Sequence, residues 1–343
     1  MKVKTVKRSC QQVDISRRLS SFRATPRCAR RSTPDLERND AIKTALTIAI
    51  FLTVTGIALA YTPAEIAAES KKANDFFEKC WNETLSRHPV DESFYGIKTH
   101  YDELEDLSDE KATADEKVWE RQLAELKKNI KFDALDPQTQ LSYKLFEREA
   151  AREAEEFKYR FDIYPVSQMR GVHAQMPTFL INIHKIDEVK DAEAYVARLR
   201  AFPKLFEQLL ANLKVREEKG VIAPRFVFPL VLDACHKIVK GKPFDPGPND
   251  SPLLEDFTRK VTALSKIDAA TRDRLVADAT KALNESVKPA YEKLIAFLEE
   301  QAKRATEDAG VWKFKDGAEF YESALQRTTT TNMPPQPICS RIS

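Results

Sequence analysis

The histidines are the first residues to consider for chemistry, because imidazole acts as a metal ligand and as a general acid or base. The chain has 5 of them. His184 precedes Asp187 and Glu188, and His100 likewise has acids within one helical turn. A metal needs three or four converging ligands, so such pairs do not make a site. The favoured interpretation is surface histidines beside solvated acids, and no metal or cofactor is assigned to this chain.

The motifs of common enzyme classes are missing from the sequence. It contains no Gly-x-Ser-x-Gly elbow, no Cys-x-x-Cys pair, no His-Glu-x-x-His and no glycine-rich phosphate loop. The acid-rich stretch 102–110 lacks the alternating oxygen ligands around a glycine that bind calcium. No catalytic residue is therefore assigned.

An irregular segment, "FDIYPVSQMRGVHAQMPTFLINIHKI", holds the candidates for a substrate cleft. Two prolines, a glycine and unpatterned aromatics interrupt the helical spacing, and only a short helix near Phe179 to His184 is expected. Long irregular segments inside helical proteins are either functional or wrapped structural loops. Four polar residues are the candidates for the cleft wall, His173 first, although a histidine bonded to backbone is the simpler interpretation: Tyr164, Arg170, His173 and Gln175.

Two of the 5 cysteines belong to the body of the chain, namely Cys80 and Cys235. Cys10 and Cys28 lie near the start, and Cys339 lies near the end. An oxidising compartment permits a disulfide between Cys80 and Cys235, but spacing alone does not show that they meet. Two buried thiols on apolar helical faces are the alternative.

The body of the sequence is helical throughout. Capping boxes predict helix starts at Thr62-Pro63-Ala64-Glu65 and at Thr113-Ala114-Asp115-Glu116, and Asp136-Pro137 opens a third helix. A long helix from Ala270 is expected to bend or break near Pro289. No alternating strand pattern competes. The predicted fold is an all-α, irregular multi-helix bundle over residues 61–331.

The charge distribution excludes one class of partner. Residues 1–43 contain 12 basic and 4 acidic residues, whereas the rest of the chain contains 43 basic and 49 acidic residues. The body is therefore mildly acidic, which argues against nucleic acid as a partner.

A segment for export precedes the body. Lys43 precedes an uncharged run, and the small residues Ala58 and Ala60 within this run fit a signal-peptidase site, so cleavage between Ala60 and Tyr61 is predicted. The alternative is an uncleaved anchor over 44–64 in the inner membrane. Cleavage implies a periplasmic or secreted protein, and only the anchor involves the membrane.

The flanking segments do not fit a globular domain. Residues 1–41 form a basic arm without apolar periodicity, predicted to be disordered and interpreted as translated upstream sequence; binding to anionic lipid is the alternative. Residues 42–60 are the signal peptide or anchor. The proline-rich residues 332–343 form an aberrant, disordered tail after a run of threonines.

Four stretches of the body together resemble a known family. They are "YPVSQMRGVH" with a following Pro177, "DAEAYVARL" at 191–199, "VKPAYEKLIAFLEE" at 287–300 and "GVWKFKDGAEFYESALQRTTTT" at 310–331. In this order they resemble the secreted bacterial family catalogued as domain of unknown function 885, over roughly residues 62–333. The last stretch is the most specific.

The resemblance implies an organisation like that of helical zinc metallopeptidases, which are hydrolases. The family's expected metal site, a His-Glu stretch followed by Pro-Gly-His-His, has no match in this sequence. The chain is therefore interpreted as the N-terminal half of a larger protein, truncated and inactive alone, with zinc and a peptide substrate expected only in a full-length relative. A complete, non-catalytic extracytoplasmic binding module is the alternative, and an enzyme with unrecognised residues is a third interpretation.

Overall fold

The computed structural model describes residues 61–333 of the chain. This range contains eleven α-helices and no β-strand, so the predicted all-α fold is confirmed. The predicted arm, the segment before Tyr61 and the residues after 333 lie outside it. The helices are α1 (Pro63–Leu85), α2 (Pro89–Phe94), α3 (Asp109–Asn129), α4 (Pro137–Lys158), α5 (Val172–Asn182), α6 (Val189–Glu218), α7 (Val227–Ile238), α8 (Pro252–Thr262), α9 (Ala269–Ala282), α10 (Lys288–Arg304) and α11 (Gly317–Thr329).

Helix α1 begins at the predicted capping box. The Thr62 backbone N–H donates to Glu65 Oε2 at 2.8 Å, and the Glu65 N–H donates to Thr62 Oγ1 at 3.3 Å. Helix α4 begins after Asp136, whose carboxylate accepts from two backbone N–H groups. Each cap satisfies donors that a helix leaves without intrahelical partners. Both predicted starts are confirmed.

The second predicted capping box is wrong. Helix α3 begins at Asp109, and Ser108 Oγ accepts from the Lys111 N–H at 3.2 Å. An earlier serine followed by two acids therefore supplies the cap and the acidic first turn that favours a helix start. Thr113 lies within the helix, one turn after its start.

The largest hydrophobic cluster surrounds α6, which is 30 residues long. Tyr291 of α10 is fully buried, and its ring lies 4.8 Å from that of Phe206. Burying one such side chain contributes about 1.5–3 kcal/mol. A smaller cluster joins α1, α3 and α4 through Ala73, Leu126, Ile130, Leu135 and Tyr143. The two clusters fix the helices that carry the candidate site.

A π-helical turn, Leu283–Val287, joins α9 to α10. Pro289 follows two residues later and lacks the N–H that would continue the α-helical ladder. A π-helical turn accommodates the missing hydrogen bond, so that α10 follows α9 without an intervening loop. The predicted break near Pro289 is confirmed.

The irregular segment folds as a tight turn followed by α5. Gly171 has a φ of +147°, and a Cβ at this position would lie 2.7 Å from the Pro165 carbonyl oxygen. Only glycine fits so close to another backbone. Helix α5 begins directly after it, at Val172, so the expectation of a short helix confined to Phe179–His184 is corrected. Glycine ends the turn and lets the helix start earlier.

Candidate functional site

A cleft of about 340 Å³ lies where α3, α4 and α11 meet. Its volume falls in the usual range of small-molecule sites, about 300–1,000 Å³. The wall combines aromatic rings with carboxylates and two arginines. It is lined by His88, Ala112, Asp115, Glu116, Trp119, Glu153, Glu156, Phe157, Tyr159, Arg160, Ile163, Phe320, Ser323, Ala324 and Arg327.

Helical spacing brings these side chains to one place. On α3, Glu116 and Trp119 are three residues apart, and on α4 Glu153 and Glu156 have the same spacing. Side chains three or four apart share one face of a helix. Phe320 belongs to the face of α11 that closes the cleft. Each helix therefore presents a carboxylate or an aromatic ring to the same space.

Two carboxylates on opposite walls have pKa values above their usual range. Burial is the largest cause of the raised pKa of Glu153; Arg152 opposes the shift, whereas Glu156, Glu149 and, least of all, Glu116 add to it. Burial also raises the pKa of Glu116, with Glu120 adding further repulsion. Low solvent access disfavours the charged form of a carboxyl group, and a neighbouring like charge acts in the same direction.

The other charges of the cleft have partners. Asp115 accepts from Arg87 at 2.6 Å and also pairs with Lys111. Arg160 Nε lies 2.7 Å from a carboxylate oxygen of Asp109. Arg327 Nη1 lies 3.4 Å from an oxygen of Glu156, which also faces Arg152. Glu153 lies 3.2 Å from the same Arg152, while no ion pair or hydrogen bond is found for the Glu116 carboxylate within the described residues.

His88 closes one end of the cleft. Its Nδ1 lies 3.1 Å from Glu105 Oε2, and this hydrogen bond raises the pKa of the imidazole. Its Nε2 faces Asp115 at 3.8 Å. No group of three or more His, Cys, Asp or Glu side chains across residues 61–333 has the geometry to hold a metal ion.

None of the five best-defined cavities within residues 61–333 is lined by more than one of the four residues predicted for a substrate cleft. Arg170 and Gln175 are exposed, whereas His173 is 2% exposed. Burial lowers the pKa of His173 to about 4, and no hydrogen-bond partner is found for its Nδ1 in the described part of the chain. Tyr164 lines a separate space of about 10 Å³ beside α7, with its hydroxyl buried. A role for these residues towards a substrate stays a prediction.

The histidines predicted to lie beside solvated acids have other environments. His184 is fully buried: its Nε2 donates to the Asp191 carbonyl at 2.9 Å, and its Nδ1 accepts from Arg198 at 2.8 Å. Burial lowers its pKa to about 3, so the ring is neutral. His100 pairs at 2.9 Å with Glu92, eight residues earlier in the chain. The surface interpretation is wrong for His184.

A disulfide between Cys80 and Cys235, which the sequence permits without predicting it, is not formed in the structure. Cys80 and Cys235 are both free and buried, which agrees with the alternative of two buried thiols. Burial is the largest cause of their raised pKa values, about 11 for Cys80 and about 12 for Cys235. Both thiols are therefore protonated and unreactive at neutral pH.

The cleft was not predicted from the sequence, because no local pattern marks its residues. The end of α4, "EREAAREAEEFKYR", has the composition of a solvated helix, yet Glu153, Glu156 and Phe157 share the cleft wall. Only the position of α11 shows which acids are enclosed.

Helices α7 and α11 each present apolar side chains to solvent. On α7, Phe226, which caps the helix, and Leu230 are 51% and 53% exposed and lie one turn apart. On α11, Gly317 is the one buried residue and Tyr321 is 44% exposed. Trp312, in the short turn before α11, is 75% exposed.

The comparisons with known proteins identify a family and a fold. The description "Bacterial protein of unknown function (DUF885)" belongs to the family that matches residues 89–341. A similar solved structure is "The crystal structure of the putative lipoprotein from Colwellia psychrerythraea", with a TM-score of 0.70 and 15% identity over 79% of this chain and 48% of that one. The chain thus spans about half the length of that structure. No curated protein matches the chain. Because the family match covers most of its length, the chain belongs to the DUF885 family of bacterial proteins of unknown function.

Proposed function

We propose that this chain is the scaffold portion of an exported, larger DUF885 protein with an organisation like that of helical zinc metallopeptidases. The observation that carries the proposal is the fold match, which uses 79% of this chain but only 48% of the solved structure. The metal-binding and catalytic parts then belong to the remainder of the fold. Peptide is the substrate class, and zinc the cofactor, of the full-length form.

The apolar side chains of α7 and α11 support this proposal. Phe226, Leu230 and Tyr321 are of the types that protein interfaces bury, and they are 51%, 53% and 44% exposed. A helix in a complete fold usually buries its apolar stripe. These faces are the surfaces against which we expect the rest of the fold to pack.

Export follows from the segment before the body. Cleavage at Ala60–Tyr61 gives a periplasmic or secreted protein, and an uncleaved 44–64 segment gives an anchor in the inner membrane. Ala60 and most of that segment lie outside the described residues, while Tyr61 is 37% exposed. None of the helices within 61–333 is long and apolar enough to cross a bilayer. The solved structure with the same fold is named as a lipoprotein.

The test of the scaffold role is metal content and turnover. Elemental analysis of the purified chain after incubation with zinc is expected to give far less than one equivalent, and a fluorogenic peptide library is expected to remain uncleaved. Stoichiometric zinc, lost when His173 or His184 is replaced, would overturn the proposal. So would peptide cleavage by the isolated chain.

A complete, non-catalytic binding module is the second candidate, and the cleft beside α11 favours it. The two candidates differ in what the neighbouring DNA encodes. A downstream reading frame with the His-Glu and Pro-Gly-His-His stretches supports the scaffold role. Its absence, together with a soluble monomer, supports the module.

Replacing the exposed residues of α7 tests whether this face is unpartnered. We expect the free energy of unfolding of the double variant Phe226→Gln, Leu230→Gln to lie within about 0.5 kcal/mol of that of the unchanged protein, because substitutions at exposed positions cost little. Self-association measured by light scattering is expected to decrease. The control Phe228→Ala, at a position 3% exposed, is expected to lose about 3–5 kcal/mol. A comparable loss in the double variant would show that the face is already packed.

A further inference from the structure

We propose that the cleft between α3, α4 and α11 binds an organic cation, a primary ammonium or guanidinium group on an aliphatic chain. Lysine or arginine side chains of a peptide carry such a group, and so do polyamines. The proposal goes beyond the scaffold role and does not rest on it, because every lining residue belongs to this chain.

The first argument is the excess of negative charge inside the cleft. Asp115, Arg160 and Arg327 are compensated by neighbours, as described above. Glu153 shares Arg152 with Glu149 and Glu156. Glu116 of α3 and Glu153 of α4 both line the cleft, and the Glu116 carboxylate has no hydrogen-bond or ion-pair partner among the described residues. A cation placed between the two carboxylates neutralises partly buried negative charge and gives Glu116 a hydrogen-bond donor.

The second argument is the aromatic wall. Trp119 stands one turn from Glu116 on α3, and Phe320 of α11 lies opposite, with its ring 5.7 Å from that of Tyr159. Aromatic faces attract ammonium and guanidinium groups and also pack against the aliphatic part of such ligands. Carboxylates beside aromatic rings therefore suit an organic cation.

A metal ion fits the same space less well. It needs several oxygen or nitrogen ligands at bonding distance, and no such group is present within residues 61–333. A compact divalent ion also gains nothing from the apolar part of the wall. The chemistry of the lining thus favours a larger organic cation, which combines a charge with an aliphatic part.

Calorimetric titration of the purified chain tests the proposal. The probes are spermidine, a capped Ala-Lys-Ala peptide and the same peptide with norleucine in place of lysine. We expect saturable binding of at least one of the first two and none of the norleucine peptide. Binding of the lysine peptide alone identifies a peptide side chain as the ligand, and binding of spermidine alone identifies a polyamine. Failure of both, or equal binding of the norleucine peptide, overturns the proposal.

Substitution of the two acids locates the site. Glu116→Gln and Glu153→Gln are each expected to weaken binding about tenfold or more, because a charge-assisted hydrogen bond becomes neutral. The control Glu299→Gln removes an equal charge from an exposed position on α10 and is expected to leave binding unchanged. Quenching of Trp119 fluorescence, lost in Trp119→Phe, confirms the location. Unchanged affinity in both cleft variants contradicts the proposal.

The stability of the same variants separates binding from a structural role. Both carboxyl groups have raised pKa values in the folded state, so the folded state holds their protons more tightly than the unfolded state does. Their contribution to the free energy of unfolding therefore falls as the pH rises from the usual carboxyl pKa through the raised one. At neutral pH, Glu153→Gln is therefore expected to melt no lower than the unchanged chain. A variant that binds less but is no less stable shows that Glu153 is retained for the ligand. A lower melting temperature would assign it to the fold instead.

Discussion

Replacing Arg198 by alanine is expected to lower the free energy of unfolding by about 3–5 kcal/mol. Arg198 is fully buried on α6 and no carboxylate contacts it among the described residues. Its guanidinium instead donates to Glu103 O and Ser93 Oγ, each at 2.8 Å, and to the Pro89 carbonyl at 3.3 Å. Arg198 therefore links α2 and the segment that follows it to α6.

The cost arises from the groups that Arg198 leaves behind. The three acceptors named above and His184 Nδ1 lose this donor, and each buried group left unsatisfied costs about 1–3 kcal/mol; only the Pro89 carbonyl keeps a second donor, the Ser93 hydroxyl. The rings of Tyr101 and Phe179, each 4.9 Å from the guanidinium carbon, also lose a cation–π partner. Burial lowers the pKa of Arg198 to about 10, so the cation persists at neutral pH.

Two further variants separate the causes. Arg198→Met keeps the apolar stem but no donor, so it is expected to recover only the packing part of the loss. Arg200→Ala, two residues away, removes an arginine whose side chain is 54% exposed and is expected to cost less than about 1 kcal/mol. Urea denaturation followed by circular dichroism measures all three. A loss below 1 kcal/mol in Arg198→Ala would show that water replaces these hydrogen bonds.

Arg198 illustrates where sequence reasoning stops. The stretch "DAEAYVARL" predicts a helix, and its apolar spacing correctly predicts that Tyr195 and Leu199 are buried. The same spacing gives no reason to bury an arginine, because its acceptors come from residues about 100 positions earlier. Caps and breaks, as at Thr62 and Pro289, depend on neighbours in sequence and were predicted. Buried polar networks depend on distant backbone groups and were not.

The cleft follows the same rule. Glu116 and Glu153 belong to helices with many acids, and nothing local distinguishes these two from Glu110 or Glu155. Their enclosure depends on how α11 approaches α4. The irregular segment that was predicted to form a substrate cleft is irregular because the backbone at Gly171 lies close to that of Pro165. Irregularity marks a structural constraint as readily as a site.

Replacing Lys260 by methionine is the second change with a large expected effect, a loss of about 2–4 kcal/mol in the free energy of unfolding. Lys260 Nζ lies 2.8 Å from each of three carbonyl oxygens at the end of α5, those of Leu180, Ile181 and His184. It also pairs at 2.7 Å with Asp256, which is 4% exposed. A cation at the end of a helix satisfies carbonyls that have no intrahelical donor.

A double-mutant cycle with Asp256→Asn separates the cap from the ion pair. Removing Lys260 alone leaves Asp256 buried with Arg259 and the Tyr195 hydroxyl as its remaining partners. If the ion pair dominates, the double variant costs clearly less than the sum of the single losses, because no buried charge remains uncompensated. If the cap dominates, the losses add. We expect the first result, with Lys266→Met, at an exposed position, as the control that changes charge alone. Additive losses would assign the role of Lys260 to the end of α5.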